Sequence, residues 1–105
     1  MLTNGEVTIF CLNEGHEEYI VRAVVPAWVR HQLRIRDQGS GVRRVDTFDI
    51  RIALGLVECI EPGDMIFFGK AEVADLKRCR KIAAVRKNAY GSIPHWHIEA
   101  EYMYR

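Results

Sequence analysis

Apolar and polar residues alternate along much of this chain, and a period of two predicts β-strands. The alternation is cleanest in the last segment, where two faces separate: Trp96, Ile98, Ala100, Tyr102 and Tyr104 on one, and His95, His97, Glu99 and Glu101 on the other. From Ala27 to Arg36 the residues alternate in the same way. One face holds Val29, His31, Leu33 and Ile35, and the opposite, cationic face holds Trp28, Arg30, Gln32, Arg34 and Arg36. Both segments are therefore predicted to be strands with one buried face.

Other runs rich in β-branched and aromatic residues predict further strands. They are Val7–Leu12, Tyr19–Val25, Val42–Ile52, Met65–Phe68 and Lys81–Lys87. Pro26 interrupts the second run, and because proline cannot donate to a ladder, we expect it at a bend or an edge. The segment from Leu54 to Ile60 fits a strand or a short helical turn. Ala71 to Cys79 has the only helical spacing, and it predicts one or two helical turns or irregular structure.

Two turn signals organise these strands. Asp37–Gly41 contains two glycines and no apolar residue, so it is predicted to be the tip of a long polar hairpin. Glu61-Pro62-Gly63-Asp64 has proline and glycine in the central positions that a type II turn favours, and Pro62, Gly63 and Asp64 are predicted to form a structural turn.

The pattern predicts an all-β fold, a small barrel or sandwich of six to seven mostly antiparallel strands. It has one long polar hairpin and at most one short helix. With 105 residues, the chain is expected to form a single domain over residues 1–105.

Composition excludes intrinsic disorder, because 49% of the residues are hydrophobic and the formal net charge is only +1. That charge hides a segregation. Residues 30–51 hold six basic and three acidic residues, and residues 70–87 hold seven basic and two acidic. The rest of the chain carries an excess of seven negative charges, so the sequence is polarised.

The two basic windows are the candidate interaction sites. Arg34, Arg36, Arg43 and Arg44 on the hairpin could follow a phosphate backbone, and a second basic patch, Lys77, Arg78, Arg80 and Lys81, could extend that surface. The alternative is a solvated strand face balanced by acidic neighbours or by an acidic partner. Trp28 is the one aromatic residue clearly on the cationic face, whereas single-strand binders stack bases on aromatic side chains.

No pattern predicts an enzyme or a cofactor. Ser40 and Ser92 lie in turns without a nucleophile elbow, and Cys11, Cys59 and Cys79 form no CxxC pair. His95 and His97 have the spacing of a weak candidate metal pair, but a third ligand is not evident, so no metal is predicted. Without a signal peptide or a long apolar segment, the chain is expected to be soluble, free of membrane contact and made in a reducing cytoplasm.

The order of several motifs along the chain resembles one protein family. The motifs run from an N-terminal strand to a His-Trp strand: Gly5–Phe10, Tyr19–Val24, Val45–Ile52, Pro62-Gly63-Asp64-Met65-Ile66-Phe67-Phe68-Gly69, Ile82–Val85 and Gly91-Ser92-Ile93-Pro94-His95-Trp96-His97-Ile98. They resemble those of the small minor capsid or head–tail joining proteins, of head-closure type, of tailed bacteriophages and Gram-positive prophages.

The resemblance implies a virion protein made in the bacterial host cytoplasm, a small barrel that assembles with itself in a ring. Its implied partners are portal or adaptor proteins, tail proteins and packaged DNA without sequence specificity. The loop that projects into the DNA channel in some such proteins would correspond to residues 36–44. A free-standing OB-like or SH3-like nucleic-acid-binding barrel is the alternative.

Overall fold

In the residues that the structure describes, the fold consists of six strands and one short 3-10 helix. The computed structural model describes residues 2–13, 15, 18–37, 42–75, 77–89 and 93–102, and of residues 32–37, 42–46 and 102 it describes the backbone alone. The strands are β1 (Gly5–Leu12), β2 (Tyr19–Asp37), β3 (Val42–Ala53), β4 (Met65–Phe68), β5 (Arg80–Asn88) and β6 (His95–Tyr102), and the 3-10 helix is Leu54–Leu56.

The strands close into a barrel in the order β1-β2-β3-β6-β5-β4, and every neighbouring pair is antiparallel. The predicted all-β class is thus confirmed as a barrel. The 3-10 helix lies in the segment whose sequence fitted either a strand or a helical turn. Among the described residues, no helix has the length and apolar character needed to span a bilayer.

Side chains that alternate along the strands fill the barrel interior, and the alternation shifts where β5 bulges, so Ile82 and Val85 both face the core. On β4, Ile66 and Phe68 face the main core, while Met65 and Phe67 face outward. The main core takes its buried side chains from all six strands and from the loop after β3: Val7, Ile9, Val25, Ala27, Ile50, Ile52, Val57, Ile60, Ile66, Ile82, Trp96, Ile98 and Ala100. Burial of this apolar set is the dominant favourable term for the fold.

A second, smaller core lies on the outside of the barrel. Phe10, Met65 and Cys79 form it, and the segment 69–79 covers it with Ala71 and Ala74. Thr8 anchors that segment, because its Oγ1 donates to the Gly69 carbonyl (2.7 Å) and accepts from the Ala71 amide (3.1 Å). We call residues 69–79 the cover segment.

The cover segment decides between the two alternatives that its sequence left open, since its described residues form turns and bends rather than a helix. Val73, in the middle of this segment, is 79% exposed, so it does not contribute to a buried helical face. The chain instead turns around Asp75, whose carbonyl accepts from the amides of Arg78 and Cys79 and whose side chain accepts from the Lys77 amide. The packing of this segment against the outer surface of β1 and β4 therefore determines its path, rather than its weak helical preference.

One correction concerns Pro26, which does not separate two strands but lies within the continuous β2. This strand pairs with β1 over Tyr19–Ala27 and with β3 over Trp28–Asp37. The Ala27 carbonyl and the backbone of Val29 bond toward the β1 side, so by alternation residue 26 faces the other side, before pairing with β3 begins. Because proline has no backbone N–H, it leaves no unpaired donor on this side of β2, which is not yet paired with β3. In this respect Pro26 occupies the edge-like position that was expected.

Beyond the barrel, β2 and β3 continue together as a two-stranded arm. Five register pairs, from Leu33↔Asp46 to Asp37↔Val42, lie past the last β3–β6 pair, Thr47↔Glu101. No third strand pairs with the arm in the part of the chain that the structure describes. The predicted hairpin tip, residues 38–41, lies outside the described residues.

Candidate functional site

The arm carries the four arginines that the sequence singled out. Arg36 and Arg43 are direct register partners, and Arg34 lies two residues earlier on the same strand, so these three positions share one face. Arg44 pairs with Ile35 and belongs to the other face. Their side chains lie outside the described residues.

The second basic group of the sequence is divided between the cover segment, which carries Lys77 and Arg78, and β5, which carries Arg80 and Lys81. Lys77 is exposed in the cover segment, and the Arg78 guanidinium lies over the Phe67 ring, 5.4 Å from its centroid. Arg80 lies instead at one mouth of the barrel, while Lys81 is the register partner of Glu101 on the outer surface. These cations are neighbours in the sequence, but they therefore have three different surroundings in the fold.

Aromatic rings surround Arg80 at that mouth. Its guanidinium lies 5.2 Å from the ring centroid of Phe48 and 5.9 Å from that of Phe68. Phe48 also stacks against His31, its register partner, at 4.8 Å between centroids. The cation and the rings close the mouth by cation–π and aromatic contacts.

The opposite mouth is closed by the loop after β3. Val57 and Ile60 enter the main core there, and the Trp96 indole donates to the Val57 carbonyl at 3.1 Å. Since side chains occupy both ends, the interior is a packed core.

The turn before β4 has the geometry that its sequence requires. The Asp64 amide donates to the Glu61 carbonyl (3.1 Å), and Gly63 has φ +98°, which residues with a side chain rarely adopt. The Asp64 carboxylate accepts from the Glu61 amide at 3.0 Å. Burial raises the pKa of Asp64, while this hydrogen bond and the nearby Arg22 act in the opposite direction.

An open cleft of about 440 Å³ adjoins this turn, where β5 bulges at Ala83. It is lined by Pro62, Gly63, Lys81, Ile82, Ala83 and Glu101. Its two charged lining residues, Lys81 and Glu101, are register partners on β5 and β6.

His95 and His97 follow each other on β6, but each has its own partner. His95 donates from Nδ1 to the Ile93 carbonyl (2.9 Å), and its Nε2 lies 3.4 Å from the Asn88 amide nitrogen. The Nε2 of His97 lies 3.7 Å from Oδ1 of Asp49. The described residues contain no group of three His, Cys, Asp or Glu side chains able to hold a metal ion.

The three cysteines differ in accessibility. Cys11 and Cys79 are buried, and Cys59 is half-buried beside Glu61. Burial raises the pKa of the Cys79 thiol, which disfavours the reactive thiolate form.

One surface was missed by the sequence analysis because its members are far apart in the chain. Strand register aligns Trp28, Arg51, His97 and Arg86 across the outside of β2, β3, β6 and β5. Only the alternation of each separate strand was visible in the sequence, and the register between strands was not.

Comparison with known proteins gives one match. The model of a family of unknown function, DUF6751, matches residues 2–101. No curated protein and no solved structure matches the chain.

Proposed function

We propose that this chain, which belongs to the DUF6751 family, is a structural virion protein of a tailed phage or prophage. It acts at the head–tail junction as a connector or head-closure component, and copies of it assemble in a ring on the portal side. Portal or adaptor proteins and tail proteins are its neighbours. The role needs folded surfaces that bind other subunits, and it needs no catalytic residue.

The observation that carries the proposal is the arm with its opposed arginines, Arg36 and Arg43. An isolated two-stranded ribbon is marginally stable in water, and a like-charged register pair weakens it further. Contact with neighbouring subunits would stabilise the ribbon, and phosphates beside its arginines would reduce the repulsion between like charges. An arm at the channel of a ring, next to packaged DNA, meets both conditions without reading sequence.

The motifs that carry the family resemblance also coincide with elements of the fold. The Pro-Gly-Asp motif is the turn that leads into β4, and the His-Trp motif begins β6 and supplies the indole that anchors Val57. Because both motifs lie at structural positions of the barrel, they support a resemblance in fold.

Deletion of the gene in the phage or prophage that encodes the chain tests the proposal. We expect DNA-filled heads that fail to join tails, and we expect the protein in wild-type particles by mass spectrometry. Normal infectious particles from the deletion, or particles that lack the protein, would overturn the virion role. A free-standing nucleic-acid-binding barrel, which could use the same arginines, predicts both of those results.

Complementation with arm variants assigns the function to the arm. Arg34, Arg36, Arg43 and Arg44 are replaced together by serine, and we expect no rescue of infectivity although the purified variant keeps its far-UV spectrum and cooperative unfolding. The matched control replaces Lys77 and Arg78 by serine in the exposed part of the cover segment. Rescue by the arm variant would show that the arginines are not needed.

A further inference from the structure

Four side chains form a row across the outer surface of the barrel. Trp28 is the register partner of Arg51, Arg51 of His97, and His97 of Arg86. Neighbouring strands are about 4.8 Å apart, so the row extends about 14 Å across β2, β3, β6 and β5. We call these four residues the cationic row.

The row presents charge and an aromatic ring together. Arg51 and Arg86 are exposed, and Trp28 and His97 are half-buried. The Arg51 guanidinium lies 5.1 Å from the Trp28 ring centroid, which holds the arginine near the ring while leaving its donors available. Lys87, next to Arg86 and over the Trp96 ring at 5.5 Å, adds a further exposed cation at the same end of the barrel.

The rows on either side differ in charge. Toward the turn that joins β5 to β6, the next register positions are Ala53, His95 and Asn88, which contain no carboxylate. On the other side the next positions are Arg30, Asp49, Glu99 and Ala84. Asp49 is only 9% exposed and lies against His97, so part of its charge is turned toward the row rather than toward solvent.

This distribution favours a narrow polyanion over an acidic protein surface. A broad acidic partner would cover Asp49 and Glu99 as well as the cationic row and would be repelled by them. A single nucleic acid strand lying along the row contacts Arg51 and Arg86 through phosphates and avoids the carboxylates. Arginine donors suit phosphate oxygens, and the Trp28 ring offers a base a surface on which to stack.

We propose that the cationic row binds a single nucleic acid strand, with Arg51 and Arg86 on its phosphates and Trp28 against a base, and that the strand crosses the β-strands. This surface lies on the barrel wall and is separate from the arginines of the arm. The inference goes beyond the proposed function and does not depend on it, because the row is present whether or not the protein is part of a virion.

Fluorescence anisotropy with a labelled oligothymidine of about ten nucleotides tests the proposal on the intact chain. We expect binding whose affinity falls with salt at a slope of about −1.4 on logarithmic axes, as two phosphate contacts require for a single strand. Binding should also change the emission of Trp28, whereas Trp96, buried and bonded to Val57, serves as a constant background. No measurable binding at low salt would overturn the proposal.

Three variants locate the site. Replacing Arg51 and Arg86 together by serine is expected to weaken binding about tenfold or more, while the matched control Arg30→Ser, one row away, changes it less than about twofold. Glu99→Gln is expected to strengthen binding, and a gain of affinity cannot come from misfolding. Equal affinities of the Arg51/Arg86 variant and the Arg30 variant would overturn the assignment, as would weaker binding by Glu99→Gln.

Two further measurements complete the test. The first distinguishes the cationic row from the arm as the binding site, and the second distinguishes nucleic acid from an acidic protein as the ligand. In the arm variant, with Arg34, Arg36, Arg43 and Arg44 replaced by serine, the Trp28 emission change on binding should persist. Its loss would move the binding site to the arm and contradict the proposal. Polyglutamate should compete poorly with the oligonucleotide, and effective competition would indicate an acidic protein partner instead.

Discussion

The side-chain amide of Asn4 pairs with the backbone of Val29 in both directions. Its Nδ2 donates to the Val29 carbonyl and its Oδ1 accepts from the Val29 amide, each at 2.8 Å. The pairing imitates one more residue of β1, beyond Gly5↔Ala27, where the β1–β2 ladder ends. A side chain thus covers the edge of β2 at the start of its pairing with β3.

Asn4→Ala is expected to lower the free energy of unfolding by about 1 kcal/mol, because two partly solvated hydrogen bonds are lost. Asn4→Asp keeps the acceptor for the Val29 amide and loses only the donor to the Val29 carbonyl. In this variant the Val29 amide should therefore stay protected from hydrogen exchange, whereas in Asn4→Ala it should not. Denaturant unfolding and exchange of that amide measure both effects. An Asn4→Ala variant with wild-type stability and a protected Val29 amide would contradict the pairing.

Thr8 holds the cover segment, and Thr8→Val tests this with a side chain of similar shape. The Gly69 carbonyl and the Ala71 amide would lose their partner in a site where Thr8 is fully buried. We expect a loss of about 2 kcal/mol in the free energy of unfolding, measured by denaturant titration. Thr8→Ser keeps the hydroxyl and is expected to lose less, so equal losses in the two variants would contradict this role.

Thiol labelling of the folded protein should distinguish the three cysteines. Cys59 is the only half-buried one and should react first with a thiol reagent, while Cys11 and Cys79 react slowly. Cys59→Ser should therefore remove the fast phase. In Thr8→Val, loosening of the cover segment should speed the reaction of Cys79 and leave that of Cys11 unchanged. A fast phase that persists in Cys59→Ser would show that Cys11 or Cys79 is accessible to the reagent, contrary to their burial.

The raised pKa of Asp64 predicts a definite dependence of stability on pH. The folded state binds this proton more tightly than the unfolded state, so the contribution of Asp64 is most favourable below the unfolded value of about 3.8. It is lost as the pH rises through the higher pKa of the folded state. Asp64→Asn keeps a carbonyl acceptor for the Glu61 amide and removes the titration.

The measurement is the free energy of unfolding of wild type and Asp64→Asn from about pH 3 to pH 7. Relative to the variant, the wild type should lose stability as the pH rises through this window and then level off. If the wild type gained stability relative to the variant over the same range, the pKa of Asp64 would be lowered by folding, contrary to what its burial requires.

Strand periodicity and turn chemistry were sufficient to predict most of the fold. Met65–Phe68 was predicted with its observed bounds, because a Pro-Gly turn precedes four apolar residues and a glycine follows them. The last strand was predicted from its alternation, and Trp96, Ile98 and Ala100 do face the core, while Tyr104 lies outside the described residues. Closure into a barrel rather than a sandwich depends on pairings between distant strands, which local sequence does not encode.

What local sequence left open or predicted differently depends in each case on what the segment packs against. Pro26 ends a strand by local rules, yet it is tolerated inside β2 where the ladder changes from one neighbour to the other. The cover segment has weak helical spacing, but the outer surface of β1 and β4 determines its path. Arg80 and Arg78 are two residues apart in sequence, and only the fold sends one to a barrel mouth and the other to the outer surface.

The β4–β5 seam of the barrel contains just two register pairs, Met65↔Lys81 and Ile66↔Arg80, and it is extended by the bonds that join Gly63 and Asp64 to Ile82. The seam also joins segments on either side of the cover segment, so forming it costs the conformational entropy of closing that loop. Few hydrogen bonds in the seam offset this cost. We therefore expect the barrel to open there first, at a free energy below that of global unfolding. An opened seam converts an edgeless barrel into a six-stranded sheet with β4 and β5 as free edges. Any exchange of strands between copies of this protein would then begin at that seam.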